Sequence, residues 1–185
     1  FRKKILIEKY MDGLEVIIYY VIQDGNPIMV AMCDRYTSKE QKGITQLPSA
    51  YIFPSKHMER YKAEVDEHVK NMLRGMHVQN GVLFLQSFIE NGSGYIYEPG
   101  FRLNGAQEHM IVSELTGIDA KELLINYAFT GKMSEKNVAD RADPYFHHMV
   151  ACKLSPLVKE GKIGKITGVE KIRRFNGVVA VNPNY

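Results

Sequence analysis

The sequence predicts an α+β fold built on an antiparallel sheet. Three observations lead there. Strand-like and helix-like segments come as strands, a helix, a hairpin, helices and strands again, not in the strict βαβ alternation of a parallel sheet. Turn signals at Asp24-Gly25-Asn26 and Asn91-Gly92 each separate two runs rich in apolar and β-branched residues, the mark of hairpins. Between them, the stretch after Ser55 carries apolar residues at helical spacing.

Taken in order, Lys4 to Tyr10 is apolar enough for a buried strand, interrupted by Met11-Asp12-Gly13. Glu15 to Gln23 alternates and is rich in Val, Ile and Tyr, a second strand, and Pro27 to Cys33 is a third. Tyr36 to Gly43 is polar and reads as a loop, and Thr45 to Phe53 is extended although Pro48 interrupts it. Ser55 can cap a helix reaching about Met76, with Met58, Tyr61, Val65, Val69, Met72 and Met76 as its apolar face. Gly81 to Ile89 and Gly94 to Glu98 form a hairpin. Gln107 to Leu115 and Asp119 to Phe129 are helices separated by Gly117, with Asp119 as the second cap. Gly131 to Asp143 is polar linker. Val150 to Leu157, Gly161 to Val169 and Gly177 to Asn182 are β-like.

The 185 residues, 45% hydrophobic and 24% charged, suit one compact domain with a small appendage and leave no tract polar enough for extended disorder. A net charge of +3 neither demands nor excludes an anionic partner. Cys33 and Cys152 lie far apart without CxxC spacing, which reads as buried, reduced thiols of a cytoplasmic protein. No apolar run approaches the ~20 residues of a membrane helix, and no signal peptide is visible, so no membrane partner is expected. The opening at Phe1, leading at once into a basic and then apolar run, is expected of a piece of a longer polypeptide.

The hairpin is the most informative element for chemistry. Gln86 and Glu98 stand on its two arms. A three-residue turn (Asn91, Gly92, Ser93) puts them opposite each other on one face; a two-residue turn puts Tyr97 opposite Gln86 and sends Glu98 to the other face. Magnesium takes hard oxygen ligands and is commonly held by one or two carboxylates plus nucleotide phosphates. Glu98 suits that role, and Gln86 offers one neutral oxygen. The plainer alternative pairs Glu98 with Arg102. Arg102 lies in a loop between Gly100 and Gly105, where a planar guanidinium suits a phosphoryl group or stays a surface residue. Glu8-Lys9-Tyr10-Met11 ends a predicted strand; such an edge can read an adenine through its backbone, or be a solvated turn. The six histidines form no zinc spacing, and P-loop, GxGxxG, HExxH and GxSxG motifs are missing. Lys162, Lys165, Lys171, Arg173 and Arg174 make the C-terminal region basic, but without interleaved aromatics they read as a solvated face, which disfavours nucleic acid as a partner.

Taken together, Ile5 through Val16 and Gly81 through Gly105 resemble the ATP-grasp superfamily, in particular its carbamoyl-phosphate-synthase-like and biotin-carboxylase-like ligases. The resemblance implies an ATP-grasp C-terminal subdomain over residues 1–133, followed at 134–185 by a linker and a small β-rich extension. It implies that Glu8, Lys9, Tyr10 and Met11 hold adenine, Glu15 the ribose, Glu98 and Gln86 the metal, and that Arg102 is the catalytic arginine of a Glu-Asn-Pro-Arg-like motif. Arg35, Lys39 and Lys42 fall where such proteins place phosphate- or substrate-facing groups. Two departures stand out: Gln86 replaces the first metal carboxylate, and Gly100 replaces the usual metal-ligating asparagine. The implied cofactors are ATP and Mg2+. The implied function is the nucleotide- and metal-binding part of an ATP-dependent carboxylate ligase acting through an acyl phosphate, inactive as a fragment. Its partners would be a small carboxylate and a nucleophilic acceptor, and a homo-oligomer is compatible with the resemblance. The rival is a degenerate, non-catalytic domain for nucleotide sensing or assembly.

Overall fold

The computed structural model describes residues 4–37, 47–156 and 161–182. Its centre is a sheet of six strands, β1 (Leu14–Gln23), β2 (Asn26–Thr37), β3 (Pro48–Phe53), β4 (Gly81–Glu90), β5 (Ser93–Gly100) and β6 (Ala151–Leu154), in the order β5-β4-β1-β2-β3-β6. Every pairing is antiparallel. The class expected from sequence is therefore the class observed.

Both faces of the sheet are covered, and the strands show why. Val16, Ile18, Tyr20 and Ile22 of β1 point to one face, where they pack with Met58, Tyr61, Val69 and Leu73. Ile17 and Val21 point to the other, where they meet Ile111, Val112, Ile118 and Leu123. Alternate residues of a strand face opposite ways, so a strand apolar at nearly every position must be covered on both sides. The second face is covered by α3 (His109–Thr116) and α4 (Ala120–Thr130). Asp119 caps α4 as expected, accepting from the amides of Lys121 and Glu122.

The first face is covered by a helix that changes pitch: α1 (Met58–Tyr61), a π-helical turn at Lys62–Asp66, and α2 (Glu67–Gly75). A π turn inserts an extra residue and rotates everything downstream. The expected apolar face is corrected accordingly. Leu73 is buried, whereas Met72 and Met76 are 48% and 65% exposed. The same rotation turns Asp66 inward, where it accepts from the Tyr20 hydroxyl at 2.6 Å and from Lys70 at 2.6 Å. Ser55 does not cap this helix. Its hydroxyl donates to buried Asp34 at 2.5 Å and accepts from the His57 amide. Ser55→Ala would leave that carboxylate oxygen without its donor, and a loss of about 1–3 kcal/mol in denaturant unfolding is expected.

Other expectations are also corrected. Residues 4–12 form no strand, and Ile5, Leu6 and Ile7 are each 83% exposed. A strand needs a partner ladder, and both sides of β1 are taken, by β2 and β4. Tyr36 and Thr37, read as loop, complete β2; the rest of that loop lies outside the described residues. The linker after Gly131 is anchored by buried Met133 and Val138. Cys33 is buried but Cys152 is exposed on the edge strand. Of the β-like C-terminal stretches, Ala151–Leu154 finds the open edge of β3 and joins the main sheet. Residues 161–168 and 177–182 pair with no strand and form none, and Val169–Arg173 is a short helix, α5. Asn182 reaches back to donate to the Gln107 side chain at 2.7 Å. Among the described residues no helix is long and apolar enough to cross a membrane.

Candidate functional site

The site follows from the register. Phe88, Glu15, Arg35, Tyr51 and Lys153 are successive cross-strand partners over β4, β1, β2, β3 and β6. Directly opposed residues in an antiparallel ladder share a face, so these five form one row. One step along, Gln86 is opposite Ile17 and Ile17 opposite Cys33, both in the core under α3 and α4. The row and Gln86 therefore lie on the α3/α4 face.

The hairpin meets neither alternative open in the sequence. Glu90 pairs with Ser93, so the turn has only Asn91 and Gly92, both at positive φ (52° and 81°), as a two-residue hairpin turn requires. Alone, that turn would send Glu98 to the far face. A bulge between Gln86 and Ser87 adds one residue on β5, Tyr97, and brings Glu98 back opposite Gln86. The bulged Tyr97 packs on Phe88, with ring centroids 4.8 Å apart, and its hydroxyl donates to Gln86 Oε1 at 2.7 Å. Burial raises the Tyr97 pKa, so it stays a neutral donor.

The ends of β4 and β5 explain the second departure. A Cβ at Gly100 would stand 2.2 Å from two ring carbons of Phe84, so the aromatic ring fills the space a side chain there would use. Arg102 does not pair with Glu98. Its guanidinium lies 4.9 Å from the Phe84 ring centroid and donates to the Leu103 carbonyl. Glu98 is exposed. Glu15 forms an ion pair with Arg35 across the ladder. Glu8, Lys9, Tyr10 and Met11 lie in the extended segment entering β1, outside any ladder, and Lys9 pairs with Glu90 beside the hairpin turn at 2.6 Å. The segment thus enters at the end of the sheet that carries Glu15 and the hairpin turn. Lys39 and Lys42 lie outside the described residues.

Three residues of this face carried no signal in the sequence. Lys153 stands over the Tyr51 ring at 4.8 Å, with its ammonium 3.9 Å from the carboxylate of Glu108. Burial pushes the Tyr51 hydroxyl up to about 12. Glu108, just before α3, is 0% exposed, and neither of its oxygens has a hydrogen-bond partner. Burial raises its pKa, against the opposing pull of Lys153. The folded protein thus holds this proton more tightly than the unfolded chain, and stability is lost as pH rises from the unfolded value, about 4.3, through the folded one. Glu108→Gln abolishes this titration. Its stability relative to wild type is expected to improve as pH rises through that window, read as Tm against pH.

Among the described residues no three His, Cys, Asp or Glu side chains gather as a metal cage. Residues 1–136 match the family described as carbamoyl-phosphate synthase L chain, ATP binding domain. The chain belongs to this family, within the ATP-grasp superfamily.

The carbamoyl phosphate synthase large chain of a Thermoanaerobacter species is 27% identical over 134 residues, covering 72% of this chain and 12% of that protein. The ATP-grasp chain therefore spans about an eighth of the length of the curated relatives it matches. Among solved structures, an L-amino acid ligase from Bacillus licheniformis superposes with a TM-score of 0.72 at 22% identity, covering 90% of this chain and 41% of that one. A biotin carboxylase from Campylobacter jejuni in complex with an ATP analogue gives 0.55 at 22% identity, covering 72% and 28%. These likenesses establish the ATP-grasp fold.

Proposed function

We propose that this chain supplies the nucleotide- and magnesium-facing part of an ATP-dependent carboxylate ligase. The observation that carries the reading is the bulge at Tyr97, which turns Glu98 onto the same face as Gln86, Glu15, Arg35 and Lys153. The bulge packs Tyr97 on Phe88 and in the same step re-aims an exposed carboxylate toward a row of charges, as bulges beside functional sites do.

In this reading the backbone of Glu8, Lys9, Tyr10 and Met11 holds the adenine edge. Glu15 takes the ribose hydroxyls, and Arg35, already paired with Glu15, steadies that carboxylate. Glu98 fits a magnesium ion held largely by phosphate oxygens, since such ions need only one or two protein carboxylates. Bound there, magnesium would supply charge neutralisation on the transferred phosphoryl group. Arg102 adds fixed positive charge beside the same group without reorganising, because its guanidinium already rests on Phe84.

The substrate carboxylate oxygen attacks the γ-phosphorus, the bond to the β,γ-bridging oxygen breaks, and ADP leaves. The acyl phosphate then yields its acyl group to a nucleophile, releasing phosphate. The test is hydroxylamine trapping in the full-length protein across a panel of carboxylates. Acyl hydroxamate formed in step with ADP supports the ligase. ATP binding with no hydroxamate from any acid would favour the non-catalytic, nucleotide-sensing reading, which Gln86 and Gly100 suggest.

A further inference from the structure

We propose that this site takes a single divalent cation with its nucleotide, with Glu98 as its only protein ligand among the described residues, because the two neighbouring ligand positions are closed to a second ion, one by a tyrosine hydrogen bond and the other by an aromatic ring. The inference rests on the nucleotide-site reading above and deepens it. The structural warrant is the Tyr97–Gln86 hydrogen bond beside Glu98 together with the Phe84 ring lodged against Gly100.

At position 86 the side chain is a neutral amide, and its oxygen accepts from Tyr97 at 2.7 Å. Tyr97 is itself fixed, by the bulge that displaces it from the ladder and by packing on Phe88. A cation recruiting Gln86 would have to share the amide oxygen with that donor, whose hydrogen bond already draws on its electron density, and would gain no negative charge by doing so. At position 100 there is no side chain, and none fits while the Phe84 ring stands 2.2 Å from the place of its Cβ. Phe84 is 1% exposed, between the core and the Arg102 guanidinium, so it has little room to withdraw. The two closures come from different residues, Tyr97 on β5 and Phe84 on β4.

Two divalent cations at the spacing of a two-metal site, about 4 Å, repel about four times as strongly as unit charges. Carboxylates placed between them normally offset this. Among the described residues of this face, Glu15 faces Arg35, and Glu108 is buried with Lys153 as its nearest opposite charge. Among the described residues, Glu98 is the carboxylate of this face left to meet a cation. Phosphate oxygens complete the shell of one ion, and no further carboxylate among the described residues stands beside Glu98 to anchor another.

The experiment counts Mn2+ bound by the full-length protein saturated with the β,γ-methylene analogue of ATP, using the paramagnetic resonance signal of the free ion. Wild type is expected to bind one Mn2+ per nucleotide. Gln86→Ala is expected to keep that count, with Mn2+ affinity altered less than about threefold. Glu98→Ala is expected to weaken Mn2+ by about tenfold or more, and Gln86→Glu to admit a second ion. Two ions in wild type would overturn the proposal, as would a tenfold loss in Gln86→Ala or unchanged affinity in Glu98→Ala. A folded Gln86→Glu protein that still took one ion would overturn the assignment of the count to position 86. Failure of the analogue to bind with or without metal would instead bring down the nucleotide-site reading, and this inference with it. Thermal melts of each variant separate these outcomes from misfolding.

Discussion

Glu98→Ala is expected to lower ATP-dependent turnover of the full-length protein by about 10²- to 10³-fold, the usual cost of removing one preorganised electrostatic group from a reacting centre. The fold should survive, because Glu98 is exposed near the end of β5 and is absent from both core clusters. The loss should fall on kcat/KM for ATP and be only partly offset when magnesium is raised, since added metal refills a weakened site but cannot restore the missing oxygen. Glu98→Gln should recover little, because an amide supplies an oxygen without charge. Steady-state kinetics over a magnesium series, beside a thermal melt, checks each part. A variant losing activity only through instability would show a lowered Tm.

The second large effect is expected at Gly100. On paper, Gly100→Asn restores a ligand type that magnesium accepts. In the structure its Cβ would overlap Phe84 Cε1 and Cζ at 2.2 Å. Inserting atoms into a filled core costs about 1–3 kcal/mol when neighbours can shift, and more when they cannot. Phe84 is held by the core on one side and by Arg102 above, so the upper end is expected. The variant should unfold at lower denaturant concentration with an unchanged m value. It should also lose activity through displacement of Arg102, and bind no additional cation. Full stability together with a second bound ion would show that Phe84 yields, and would remove one of the two closures.

Much of this architecture is legible in the residues. Asn91-Gly92 fixes the hairpin turn, because both positions need positive φ and the pair tolerates it. Asp119 and Gly117 mark the helix boundary through side-chain capping and a left-handed backbone. What escapes is anything that depends on a single inserted residue. The bulge at Tyr97 and the π turn at Lys62–Asp66 each shift a periodic pattern by one, and neither leaves a mark in composition. The first decides which way Glu98 faces; the second decides that Leu73 rather than Met72 or Met76 is buried. Long-range meetings are equally invisible. Lys153 reaches Tyr51 and Glu108 only because β6 closes the edge of β3. The apolar run at Ile5 to Ile7 suits a strand by its sequence, but it leads into β1, which is already paired on both sides, and it joins no ladder.

The most direct test of the central claim, that Glu98 turns this face into a magnesium–nucleotide site, is calorimetric titration of ATP into the full-length protein with and without magnesium, for wild type and Glu98→Ala. Wild type should bind ATP about tenfold tighter or more with magnesium, a gain of about 1.4 kcal/mol or more. Glu98→Ala should keep the metal-free affinity and lose the gain. The same magnesium gain in both proteins would contradict the account.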